Sequence, residues 1–387
     1  MSKKMLRLVI LLVAIAVLGG VYGVMYVNNQ KKAEQEALEA EESENGILIK
    51  EMDEDSIVGF SFQHANDDAF SDEKWVFSKQ GETWYYKDDL NFPVSTTMID
   101  LLTEDLSAVY ANRVLEETDE NFATYGLDEP SLIISVTDGK ETVTYNIGDY
   151  NEATADYYMY MDGDSTVYTV DGTLYADFCV ELYDMVDMED FPTIDADYIT
   201  HINVNYEGNE LDLTFERTSQ EEDEDGNVVI EGTWYVMNED GELVDADQTM
   251  CATLASSCVN MTFLQEFDYN YDEEDLAGYG LDDPMLVITV DYSYFEIDED
   301  SVESVEVDEN LNEYEYELIE TQKQMVVTVG DATNAYLTTT DYYTILSDST
   351  AVMSMDETVL ETFMSLDVNN FISNLSSYGS STEESEE

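Results

Sequence analysis

Tyr-Gly-Leu-Asp-Glu-Pro stands at residues 125–130 and Tyr-Gly-Leu-Asp-Asp-Pro at residues 279–284. A hexapeptide spelled twice in one chain restricts the fold to architectures that turn the same corner twice. The six positions define that corner. Glycine just past a helical turn takes the left-handed conformation without a Cβ penalty, and leucine then returns to the last turn. Proline prevents the helix from resuming and pushes its predecessor toward extended geometry. Each copy follows a short helical stretch (120–124 and 273–277) and precedes a β-rich run. The motif therefore reads as a repeated helix stop. It is formed by Tyr125, Gly126, Leu127, Asp128 and Pro130, and again by Tyr279, Gly280, Leu281, Asp282 and Pro284. Asp128 and Asp282, two lone carboxylates in separate domains, make no site.

Aligning outward from the motif extends the repeat. In the first copy, strands are expected at 56–64, 74–77 and 83–86 (TWYY), followed by a helix at 96–115. After the motif come strands at 132–136 and 142–147, closing on Gly148-Asp149. Strands at 157–161 and 166–170 and a helix at 173–186 end the copy. The second copy has strands at 199–206, 211–215 and 233–236 (TWYV) and a helix at 248–264. Strands follow at 286–290 and at 325–329, closing on Gly330-Asp331. A Tyr-Tyr strand at 342–343, a strand at 351–355 and a helix at 358–366 complete it. Trp84 and Trp234 occupy equivalent strands and read as one repeated core residue, an exposed aromatic pair for sugar or peptide being the alternative.

The spacing locates where the copies differ. Trp84 to Trp234 is 150 residues, Tyr125 to Tyr279 is 154, and Gly148 to Gly330 is 182. Residues 292–321 are therefore an insertion, acidic and partly alternating, expected to extend a hairpin beyond the domain body. A smaller acidic stretch, 220–227, separates two strands of the second copy.

The N-terminus has a different character. Residues 1–7 supply Lys3, Lys4 and Arg7, and residues 8–27 then run without a charge. Twenty apolar residues suffice to span a bilayer as a helix, and the basic flank favours a cytoplasmic N-terminus. The stretch exceeds the apolar region of a secretory signal and no Ala-x-Ala site follows, so an uncleaved anchor is expected, with a cleaved leader as the alternative. Either way residues 28–387 lie outside the cytoplasm. Residues 28–54 read as an acidic stalk, 55–190 and 191–375 as the two repeats, and 376–387 as a disordered acidic tail.

Charge excludes some partners. Thirteen Lys and Arg face 89 Asp and Glu, and beyond residue 27 the balance is 10 against 89, formally −79. Such a surface repels phosphate backbones, so no nucleic-acid partner is expected. It attracts cations and basic partners. Cys179, Cys251 and Cys258 are an odd set. Cys251 and Cys258 lie about 10 Å apart along one helix, beyond disulfide reach. Buried thiols acting as small apolar residues are expected.

Catalytic patterns are sparse. His64 and His201 lie on strands at non-equivalent places and suggest no Ser–His–Asp or Cys–His set. No zinc spacing, phosphate loop or dinucleotide fingerprint occurs. Asp162-Gly163-Asp164 and 221–226 (EEDEDG) resemble fragments of calcium loops. The second has Gly232 where an EF-hand needs Glu, so turn chemistry is the first reading and weak calcium binding the second. No cofactor is implied.

The single span, the Trp-bearing strands, the helix, YGLD-x-P, the strand pair ending in Ile/Val-Gly-Asp and the Tyr-Tyr strand together resemble the domain-of-unknown-function family numbered 4340. The resemblance covers about residues 55–366, as two tandem copies. It implies an extracytoplasmic partner of ABC-type export or gliding-motility-like systems and carries no catalytic residues. The sequence thus points to an α+β protein: an N-terminal transmembrane helix, then two tandem repeats of mainly antiparallel strands with flanking helices. Its expected role is that of a non-catalytic accessory or scaffold subunit of an ABC transport system, in contact with the permease or other membrane proteins. A surface binding module for cations, glycans or peptides is the alternative, and a hydrolase ranks last.

Overall fold

The computed structural model describes residues 46–66, 69–115, 119–222, 228–298, 303–308, 311–315, 318–333 and 340–373. The expected membrane span, most of the expected stalk and the acidic tail lie outside the described residues. Among the described residues no helix is long and apolar enough to cross a membrane. The chain divides into two compact units, Met1–Met185 and Val186–Glu387, each built mostly of antiparallel sheet with few helices.

The first unit contains β1 (Ile47–Glu51), β2 (Gly59–His64), β3 (Lys74–Gln80), β4 (Thr83–Tyr86), β5 (Ala108–Ala111), β6 (Arg113–Val114), β7 (Leu132–Thr137), β8 (Thr142–Asn151), β9 (Asp156–Met161) and β10 (Tyr168–Asp171). Eight strands form one sheet in the order β4-β3-β2-β7-β8-β9-β10-β6, and β1 pairs separately with β5. Alternation sets the buried face: Leu132, Ile134 and Val136 are buried while Ile133, Ser135 and Thr137 are half-buried. The pair Phe60↔Phe77 joins the same core across β2 and β3.

The helix Thr96–Ser107 buries Ile99, Leu102 and Leu106, and its Ser95 cap accepts a bond from Met98 N–H. The sequence favours a helix to residue 115, but Ala108–Ala111 instead pairs with Ile47–Glu51, inside the expected stalk. A tertiary strand partner overrides helix propensity there. The last expected helix also shortens. It runs Gly172–Asp177, capped by Asp171, and a 3-10 turn follows at Leu182–Met185.

The second unit contains β11 (Ile199–Tyr206), β12 (Asn209–Glu222), β13 (Val228–Met237), β14 (Leu243–Asp245), β15 (Gln265–Asp268), β16 (Leu286–Ile297), β17 (Glu303–Asp308), β18 (Leu311–Glu315), β19 (Leu318–Ala332), β20 (Asp341–Leu346) and β21 (Val352–Asp356). Its main sheet runs β14-β13-β12-β11-β16-β19-β20-β21-β15, and β17 pairs with β18. This is the strand order of the first sheet with β14 added at one edge. The helices Gln248–Val259 and Glu357–Met364 share one core with the sheet through Leu254, Cys258, Leu360 and Phe363. The first of these was expected to reach residue 264. It stops at Val259 because Gln265–Asp268 is drawn into the sheet beside β21.

Two hairpins outrun the body of this sheet. β16 and β19 pair from Leu286↔Val329 to Ile297↔Leu318, whereas their neighbour β11 begins opposite Tyr292. β12 and β13 continue to Glu222↔Val228. Arg217 ties the two extensions together. Its Nη1 lies 3.0 Å from Glu320 Oε1, and Nη2 donates to Ser293 Oγ at 3.2 Å. Ser293 Oγ donates to Glu320 at 2.6 Å, and Gln322 donates to Ser293 at 2.9 Å. The expected insertion boundary moves accordingly, since Tyr292 belongs to the core. Replacing residues 298–317 with Asn-Gly, a dipeptide suited to a two-residue hairpin turn, should leave the core intact. The expected calorimetric Tm change is no more than about 4 °C. Loss of the cooperative transition would show that the excursion is part of the body.

Candidate functional site

The repeated hexapeptide is the most defined constellation in each unit. In the first, a 3-10 turn at Asp119–Thr124 leads into it. Tyr125 N–H and Leu127 N–H both donate to Phe122 O at 3.0 Å. Gly126 has φ +65°, reversing the chain, and Leu127 is buried. Asp149 N–H then donates to Tyr125 O at 2.8 Å, fastening the corner near the C-terminal end of β8. Gly148 allows this approach: a Cβ there would fall under 3.0 Å from Tyr125 O and from the Gly126 carbonyl. A Cβ on Gly126 would strike the Asp149 carboxylate.

The second unit repeats the clasp. Tyr279 N–H and Leu281 N–H donate to Leu276 O at 3.1 and 2.9 Å, Gly280 has φ +68°, and Leu281 is buried. Asp331 N–H donates to Tyr279 O at 2.9 Å, and a Cβ on Gly330 would meet that same oxygen. A ring contact completes each corner, Tyr125 to Tyr158 at 4.5 Å and Tyr279 to Tyr343 at 4.9 Å. These tyrosine partners were signalled only by the repeated Tyr-Tyr pair. Asp128 and Asp282 are exposed, and Pro130 and Pro284 are half-buried. Trp84 and Trp234 stand apart from the clasps. Trp84 is half-buried, 5.7 Å from Phe60, and Trp234 is buried, 5.2 Å from Phe215.

The ionisable groups are dispersed. His64 is buried, donates from Nε2 to Phe178 O at 2.8 Å, and stacks on Phe70 at 4.2 Å. His201 is half-buried between two carboxylates, Asp212 and Asp291, each 3.3 Å from a ring nitrogen. In the first unit, burial and then the neighbouring Asp177 carboxylate push the Asp105 carboxyl up to about 7. In the second unit, burial and then Glu189 push Glu266 up to about 7. Burial raises the thiols of Cys251 and Cys258 to about 12, which leaves them neutral and unreactive at ordinary pH.

The calcium-loop fragment Asp162-Gly163-Asp164 works as a turn. Asp164 accepts from Thr166 N–H at 3.0 Å, Thr166 Oγ1 at 2.7 Å and Tyr168 OH at 2.8 Å, and these donors lower its carboxyl below the usual range. Asp162 accepts from Asn146 at 2.8 Å. Residues 223–226 of the second fragment lie outside the described residues. Among the described residues no group of three or more His, Cys, Asp or Glu is arranged to hold a metal ion.

A family model described as a domain of unknown function, DUF4340, matches residues 84–240 and supports the family resemblance drawn from the sequence. The match begins on β4 and ends just beyond β13, so it is out of phase with the two compact units. No curated protein and no solved structure matches the chain.

Two outcomes follow from this geometry. Gly148→Ala and Gly330→Ala each force the clasp apart and should cost about 1–3 kcal/mol in urea unfolding. Gly278→Ala, with nothing within 4 Å of its added Cβ, should be neutral within about 0.5 kcal/mol. Equal costs at all three would refute the close-approach account. The raised carboxyls act in the opposite sense to ordinary salt bridges. The folded chain holds their protons to pH about 7, the unfolded chain only to the ordinary 3.8 of Asp105 or 4.5 of Glu266. Their stabilisation is present below pH about 4 and disappears as pH rises through about 7. Asp105→Asn should therefore raise Tm more at pH 8 than at pH 4, and an equal shift at both would contradict the assignment.

Proposed function

We propose that this chain is a membrane-anchored extracytoplasmic scaffold made of two tandem copies of the DUF4340 domain. Its role is that of a non-catalytic accessory subunit of an ABC-type transport system. The observation that carries the reading is that each copy of the most distinctive motif is spent on closing its own sheet. The clasp residues are backbone fasteners and buried packing, which leaves partner contact to the outer surfaces. The matching strand orders support the tandem arrangement. The out-of-phase family match supports it as well, since a window begun on β4 of one copy would end near β13 of the next. The apolar residues 8–27 support the anchor, and the family resemblance supports the transport association.

Binding rather than turnover also fits the dispersal of the titratable groups. Asp105 and Glu266 belong to different units, and His201 is held by two carboxylates. A mild-detergent pull-down of the tagged full-length chain from its own membranes, read by mass spectrometry, tests the accessory role. An ABC permease and its ATPase are expected in stoichiometric amounts, and a partnerless protein would overturn it.

A further inference from the structure

The second unit carries an open cleft of about 380 Å³ that the clasp does not use. Its floor comes from adjacent strands. The cross-strand pair Phe215↔Trp234 places two aromatic rings on one face, with centroids 5.2 Å apart and tilted by 51°. Two residues before Trp234, Gly232 contributes no side chain. A Cβ there would strike the Phe215 ring, so the missing side chain is what lets the phenyl ring lie over the strand. Small residues of the helix Gln248–Val259, Ala252 and Ser256 among them, form the opposite wall and keep the cleft open. Asp197 stands at the cleft with an exposed side chain.

The charge around this cleft is one-sided. From residue 186 onward the only lysine and arginine side chains are Arg217 and Lys323. Both are already engaged: Arg217, cross-strand from Gly232 at the edge of the cleft, is neutralised by Glu320, and Lys323 Nζ lies 4.2 Å from the Tyr294 ring centroid. Aromatic faces beside a carboxylate, inside an acidic field, favour an organic cation with an apolar stem. The first unit offers an internal parallel. There the residue cross-strand from the equivalent tryptophan, Trp84, is Lys79, which is half-buried. The position that Phe215 fills in the second unit is thus filled by a lysine in the first.

We propose that the Phe215–Trp234 cleft binds an alkylammonium or guanidinium group, presented as a lysine or arginine side chain of a basic partner segment or as a free polyamine. The proposal rests on the reading of the chain as a binding protein and is independent of the transport association. The aromatic faces take the stem and the cationic head, and Asp197 takes the remaining charge at the mouth.

The test is fluorescence anisotropy of a labelled oligolysine peptide titrated with the full-length chain in mild detergent. The lysine-acetylated peptide serves as the uncharged probe. Saturable binding of the first and none of the second is expected. Asp197→Asn and Ala252→Phe, the latter filling the cleft from an exposed helix position, should each weaken binding about tenfold. Asp240→Asn, an exposed turn carboxylate outside the cleft, should leave it within about twofold. Unchanged melting temperatures for all three variants keep the comparison about binding. Displacement of the peptide by spermidine assigns the free amine as a ligand; resistance to it assigns the peptide-borne side chain. Equal weakening by all three variants would reduce the effect to general charge attraction, and binding of the acetylated peptide or of neither probe would equally overturn the site. Because the permease pull-down reads a different contact, its failure and the failure of this site are separable.

Discussion

Two pairs of glycines hold this architecture together. Gly126 lies against Gly148, and Gly280 against Gly330, with backbone meeting backbone where any side chain would intrude. The contact lets a tyrosine carbonyl reach the Asp149 or Asp331 amide and so binds a surface corner to the centre of a sheet. The strand that follows each motif is then delivered in register. Leu132 pairs with Ile147 in the first unit and Leu286 with Val329 in the second. Without that fastening, each helix-to-sheet crossover would lose both its bend and its attachment point. A one-residue slip in a strand exchanges its buried and exposed faces, so the corner protects the whole core.

The acidic composition finds many local uses. Aspartates cap the helices Gly172–Asp177, Gln248–Val259 and Glu357–Met364, where a carboxylate satisfies free N–H groups and complements the helix dipole. Others shape turns, as Asp164 does. Where burial outweighs solvation, carboxyls keep their protons to a higher pH instead, as at Asp105 and Glu266. The two cations of the second unit sit on its extended hairpins, where Arg217 unites strands that β11 no longer separates.

The corner was legible because its chemistry is local: glycine, leucine and proline each act within a few residues. The central strands were legible because alternation is local too, as in Leu132–Thr137. What escaped was decided by distant partners. Ala108–Ala111 leaves the helix only because Ile47–Glu51 waits to pair with it, and Gln265–Asp268 only because β21 offers an edge. Nothing within either segment announces the partner. Of the Trp234 cleft the sequence singled out only the tryptophan, read first as a core residue. The cleft's depth depends on Gly232 and on small residues of a helix beginning at Gln248, which strand alternation does not bring into view.

Two sheets that share the order of eight strands in one chain create a hazard during synthesis, because a strand from one could enter the vacancy meant for its counterpart. Differences of length and chemistry guard against this. β12, at Asn209–Glu222, would overhang the place of β3, at Lys74–Gln80, and β3 would bring Lys79 to the seat of Phe215. The long acidic hairpins therefore act as address labels. They make the swapped chain a poorer fit than the correct one.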